Sequence, residues 1–256
     1  MRFLGKWVLV RPGLDEVGHG GMGAGYMLLF YGTERLRVVI TSTAITRRHW
    51  DETSNVVWVQ DFAIKSAINS NPSPPLATRF TTTLANLLTH QRVHSALQSL
   101  SAASLLPPTL PTTSITALLS LFDFSRVKVA LVASIPGKYD GWPAVMSVGH
   151  TGLMSTVNDL GMKVPKGSEL SLDYLTSSLA PYTTQWLRQF EISAEGGDGH
   201  QKFMKLSSKA RAALPVSGKF GVVYPTQKSI ESMGPRLVCT FDSLTPNRKM
   251  ARTRLL

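Results

Sequence analysis

Two apolar runs joined by a short turn constrain this chain more than any other feature. Tyr26–Tyr31 reads YMLLFY, Gly32-Thr33-Glu34-Arg35 turns the chain, and Leu36–Ile40 reads LRVVI. Runs this rich in aromatic and β-branched residues predict strands, these two buried on both faces. Val56–Gln60 (VVWVQ) predicts another. At 256 residues and 43% apolar content the chain can bury a sizeable core around them.

The rest of the pattern alternates helices with strands. Thr43–Asn55 is polar with room for one helical turn, and Asn69–Pro75 (NSNPSPP) reads as a loop. Phe80, Leu84, Leu87, Leu88 and Leu97 recur near helical spacing and predict one or two helices over 79–102. A Pro/Thr-rich connection follows at 104–114, then a short helix at Ile115–Phe122. Val127–Ser134 (VKVALVAS) predicts a central strand, and Ile135–Trp142 a loop. His150–Leu160 predicts a helix ended by Gly161. Beyond it come a strand at Leu170–Leu175, a helix at Tyr182–Phe190, a flexible loop at Ala194–Gly199 and a strand at Phe220–Tyr224. The class is α/β, with a mixed β-sheet flanked by helices. From Met233 onward no periodicity predicts structure.

Charge and cysteine usage narrow the functional classes. Lys and Arg total 27 against 16 Asp and Glu, a net charge of +11 that favours a polyanionic partner. The single Cys239 excludes an intrachain disulfide and any multi-cysteine metal site. No run of about 18 apolar residues predicts a membrane span. Arg2, Lys6 and Arg11 interrupt any signal-peptide apolar region, so a soluble intracellular protein is expected. His90 and His94 lie four apart on a predicted helix, a zinc-like spacing. They lack a Cys or acidic partner nearby and read as a surface pair, so no metal is expected.

Five stretches in order carry a resemblance. MLLFYGTERLRVVI (27–40), HWDETSNVVWVQDF (49–62), FDFSRVKVALVASIPGKYDGW (122–142), GHTGLM (149–154) and SSLAPYTTQWLRQF (177–190) are similar to tyrosyl-DNA phosphodiesterases, above all fungal ones. That family is a branch of the phospholipase D superfamily. The resemblance runs from about Lys6 to Pro225 and implies about one of the family's two pseudo-symmetric halves. Residues 1–225 would form that half, with linker-like stretches at 102–114 and 194–211, and 226–256 an uncertain tail.

The resemblance also implies a chemistry. Each half of such a protein supplies a His-x-Lys pair before the MLLFY-like strand and an Asn after the LRVVI-like strand. One His attacks the phosphorus of a 3′-phosphotyrosyl bond and forms a phosphohistidine. The other His protonates the leaving group and then activates water. The Lys and Asn groups stabilise charge on the phosphoryl oxygens. No cofactor or metal takes part. The implied partner is DNA, single-stranded or at 3′ ends, with no membrane, and the implied compartment is the nucleus.

This chain departs from that pattern where the chemistry resides. Before Met27 it reads Gly20-Gly21-Met22-Gly23-Ala24-Gly25-Tyr26, so Gly25 stands at the Lys position and no His remains. His19 has Gly21 two residues on and does not rebuild the pair. Ala44 stands at the Asn position, and a one-residue shift gives Ile45. A later His200-Gln201-Lys202 follows a Gly-rich loop and reads as solvated linker. The second half-set is expected beyond Pro225, where 226–256 holds no His-x-Lys.

Binding residues are better kept. Ser177 and Ser178 match a family serine pair that contacts DNA phosphate, or simply begin a helix. Ala180 replaces a family Gly and is followed by Pro181. Met22 falls where relatives place an aromatic that stacks on a base, which Met cannot do. Lys138 faces either the groove or solvent, and Trp58, Trp142 and Trp186 read as core. Lys202, Lys205, Lys209 and Arg211 read as a solvated basic face. The expectation is a DNA-end-repair protein with hydrolysis lost or truncated and DNA binding retained. The alternative is a non-catalytic binding or structural protein, or a fragment of an incomplete gene model. Half of a two-half molecule would expose apolar surface and self-associate.

Overall fold

A computed structural model describes residues 2–4, 7–9, 24–32, 34–51, 55–65, 74–107, 110–176, 182–197, 199–216, 219–224 and 228. In chain order the elements are β1 (Arg2–Leu4), β2 (Trp7–Leu9), β3 (Gly25–Tyr31), β4 (Arg35–Thr41), α1 (Arg47–Asp51) and β5 (Val57–Ala63). They continue with α2 (Pro75–His90), α3 (Val93–Ala102), α4 (Ile115–Ser120), α5 (Trp142–Val145) and α6 (Gly149–Asp159). The last are β6 (Leu172–Leu175), α7 (Thr184–Glu195), α8 (Gly199–Met204), α9 (Ser208–Ala213) and β7 (Phe220–Val223). The mixed α/β class holds, as small sheets flanked by helices. The chain divides into two compact units, Met1–Thr46 with Asn55–Gly141, and Arg47–Ser54 with Trp142–Leu256.

In the first unit β3, β4 and β5 form an antiparallel sheet in that order, with Gly25 opposite Thr41 and Thr41 opposite Val57. Leu36, Val38 and Phe62 pack on Phe80, Leu84 and Leu88 of α2. Phe62 and Phe124 rings meet at 4.2 Å and Trp58 meets Phe80 at 5.4 Å. The expected burial on both faces holds for β4, where the neighbouring Val38 and Val39 are 1% and 4% exposed, and is corrected for β3, which is half-buried. On β5, on the face away from that core, Val57 and Val59 are 37% and 50% exposed. An antiparallel sheet tolerates one solvated face, whereas a buried parallel one does not. The antiparallel pair β1–β2 also belongs to this unit.

The one or two helices expected over 79–102 are two, α2 and α3, parted at Arg92, whose φ of 59° is left-handed. His90 ends α2 and His94 lies in α3, so the two histidines do not share a helix. One further expectation for this unit changes. Val127–Ser134 forms no strand. Its residues suit one, but a strand exists only by pairing. A turn in which Val127 N donates to Phe124 O stops the contact begun by the Ile64–Phe122 bridge.

In the second unit α6 packs on α7, and β6 pairs with β7 in parallel. Gly161 follows α6 as expected, with φ +66°. The expected flexible loop at Ala194–Gly199 is corrected: α7 runs through Glu195 and α8 starts at Gly199. The intervening turn is held by Asn158, whose Oδ1 accepts from Gly197 N and whose Nδ2 donates to Gly197 O at 3.1 Å. Gly196 has φ +75°, and a Cβ there would lie 2.8 Å from Val157 Cγ1, so only glycine fits. The linker-like stretch 194–211 holds α8 and α9, the latter begun by Ser207 Oγ accepting from Ala210 N.

Candidate functional site

Gly25 and the segment that holds Ala44 lie at one end of the β3–β4–β5 sheet. Gly25 begins β3 opposite Thr41, and the chain leaves β4 through Ser42, Thr43, Ala44 and Ile45. Thr41 is 1% exposed, and its Oγ1 donates to Thr43 O, folding this segment back over the strand end. A Cβ on Gly25 would lie 2.6 Å from Ile45 Cγ1, 2.8 Å from Thr41 Oγ1 and 3.0 Å from Thr43 O. Contacts under about 3 Å cannot persist without displacing the neighbours. Ala44 is exposed and brings no polar side chain to the corner.

Hydroxyl and amide groups remain beside it. Ser42 N and Oγ donate to Asn55 Oδ1 at 3.2 and 2.9 Å, and Val56 N donates to Ser42 Oγ at 2.9 Å. With Oδ1 engaged, Asn55 Nδ2 is shielded and has no partner among the described residues, and the same holds for Thr43 Oγ1. Both atoms are buried, so a ligand reaches neither without displacing the residues around them. Sequence reasoning missed Asn55, because the Ser42–Asn55 contact is long-range and leaves no spacing signature.

Other expected residues are distributed as follows. Ser177, Ser178, Ala180, Pro181, Met22, His19, Cys239 and the tail 233–256 lie outside the described residues. His200 and Lys202 fall on α8, where positions two apart lie on different faces, so they form no paired site. The His200 side chain lies outside the described residues. Lys138 Nζ lies 3.4 Å from Asp140 Oδ2, both side chains at least 80% exposed, a solvated pair. His90 Nδ1 meets Asn86 O, and His94 Nδ1 meets Thr113 O, each at 2.8 Å. No group of three or more potential metal-ligating side chains occurs among the described residues.

Of the three tryptophans read as core, Trp58 packs against it, whereas Trp142 is 41% exposed. Trp142 sits at the start of the four-residue α5, too short to bury a ring against a partner layer. Trp186 is half-buried in a file of rings with Tyr182 and Phe190. Lys202, Lys205 and Lys209 are exposed, and Arg211 lies over the Phe203 ring, 5.9 Å from its centroid.

One contact resembles a nucleophile–base pair. His150 Nδ1 lies 2.8 Å from Ser193 Oγ in the second unit. Ser193 is 0% exposed, so no substrate reaches it and the contact ties α6 to α7. No helix among the described residues is long and apolar enough to cross a membrane.

A protein-family model described as tyrosyl-DNA phosphodiesterase matches residues 21–239, well over half of the chain. No significant match is found among curated proteins.

Proposed function

The chain belongs to the tyrosyl-DNA phosphodiesterase family, within the phospholipase D superfamily, and from that premise we propose that it binds DNA ends without hydrolysing them. The family acts on DNA. The reading for this chain rests on one observation above others, the occupation of the space over Gly25 by Ile45 and Thr41. A lysine there has nowhere to extend, Ala44 offers no amide, and no His-x-Lys precedes β3. Without an imidazole to attack, no phosphohistidine forms. Binding draws on other features: the net charge of +11 and the Ser177–Ser178 pair as a phosphate contact.

Its role would be in DNA end repair in the nucleus, holding a single strand or a 3′ end. Exposed Val56, Val57, Val59 and Ile64 support self-association of the first unit's sheet. A concentration-independent monomer by light scattering would contradict that part. The binding part is tested by titrating a single-stranded oligonucleotide bearing 3′-phosphotyrosine over a salt series. Binding should tighten as salt falls and weaken in the Ser177→Ala/Ser178→Ala variant. No binding at low salt would defeat the reading.

A further inference from the structure

Five rings gather between α7, β6 and β7 in the second unit, and three of them form a file along α7. Tyr182 and Trp186 ring centroids are 5.0 Å apart with planes 23° from parallel, and Trp186 and Phe190 are 5.4 Å apart at 24°. Tyr174 meets all three edge-on, and Phe220 closes the Phe190 end edge-on. Trp186 and Phe190 lie four residues apart on α7, so helical geometry sets them in a row, and Tyr182 extends the row from just before the helix. All are half-buried, unlike Phe62 and Phe80, each 1% exposed in the first unit's core.

Phe220 closes one end of the file, and among the described residues no further ring stacks on Tyr182 at the other. Tyr182 precedes the helix, before the cap in which Thr183 Oγ1 accepts from Trp186 N at 3.1 Å. Its ring is held between Trp186, stacked at 5.0 Å, and Tyr174, edge-on at 5.8 Å, and its hydroxyl lies 3.4 Å from the Tyr174 hydroxyl. No acidic residue occupies the first turn of α7, so no carboxylate there repels a phosphate. A ring held this way is a preorganised platform, because little side-chain freedom remains to be lost on stacking.

We propose that Tyr182, backed by Trp186 and Phe190, stacks a nucleobase of single-stranded DNA. The inference rests on the DNA-binding reading and deepens it. It gives the strand a base contact that is indifferent to sequence, since every base has a π-face. The structural role of the same residue, an apolar contact bracing the helix start, is kept by leucine, whereas stacking is not.

The test uses the whole chain and two oligonucleotides of equal length and charge, one with all bases and one with abasic sites. Wild-type protein should prefer the base-bearing strand about ten-fold. Tyr182→Leu should lose most of that preference while binding the abasic strand as wild type does, and Tyr182→Phe should keep it. Equal affinity of wild-type protein for the two strands would overturn the inference and leave DNA binding standing. Failure to bind either strand at low salt would overturn the DNA-binding reading itself, and the inference with it. The comparison of strands on wild-type protein needs no variant, so it holds even where Tyr182→Leu does not fold.

Discussion

Ile45 fills the space that any side chain on Gly25 would need, its Cγ1 standing 2.6 Å from where the Cβ would be. Replacing Gly25 with alanine should therefore destabilise the first unit by about 1–3 kcal/mol through overpacking. Ile45 is 41% exposed, so Ile45→Ala alone should cost little. The double variant should recover part of the loss, the rest remaining with Thr41 Oγ1 at 2.8 Å. Urea denaturation of the four proteins measures this coupling; additive effects would show that Ile45 does not close the corner.

A second prediction concerns a buried charge. The Glu191 side chain is 2% exposed and paired with Arg188, itself 25% exposed. Arg188→Met should destabilise the protein by about 3 kcal/mol, because a buried carboxylate loses its cation. Adding Glu191→Gln should restore part of that. Denaturation midpoints decide, and an unchanged midpoint for Arg188→Met would be contrary.

Alkaline stability provides a third. Burial, then the hydrogen bond with Tyr182, push the Tyr174 phenol up to about 12. The folded state therefore holds this proton more tightly than the unfolded chain, whose phenol titrates near 10. The resulting stabilisation is complete below about pH 10 and is lost as pH rises toward 12. Wild type should lose more stability than Tyr174→Phe across that window; parallel losses would mean the phenol is not perturbed.

How far the sequence was legible depended on whether a signal was local. YMLLFY and LRVVI became β3 and β4 because residue type and the intervening turn both lie within one short stretch. VKVALVAS carries the same type of signal and forms no strand, since pairing depends on a neighbour far along the chain. His90 and His94 shared a spacing but not a helix, because the left-handed Arg92 breaks the rod between them. At the candidate site, the identities of Gly25 and Ala44 were legible. That Ile45 closes over Gly25, and that Asn55 reaches Ser42, are contacts across strands that no spacing records.

Loss of hydrolysis is tested most directly by single-turnover incubation of excess protein with a single-stranded oligonucleotide carrying 3′-phosphotyrosine. The prediction is that the oligonucleotide is bound yet no tyrosine is released and no protein–DNA adduct accumulates. Tyrosine release at a specific activity that stays constant through purification would contradict it, and would place the catalytic groups elsewhere in the chain.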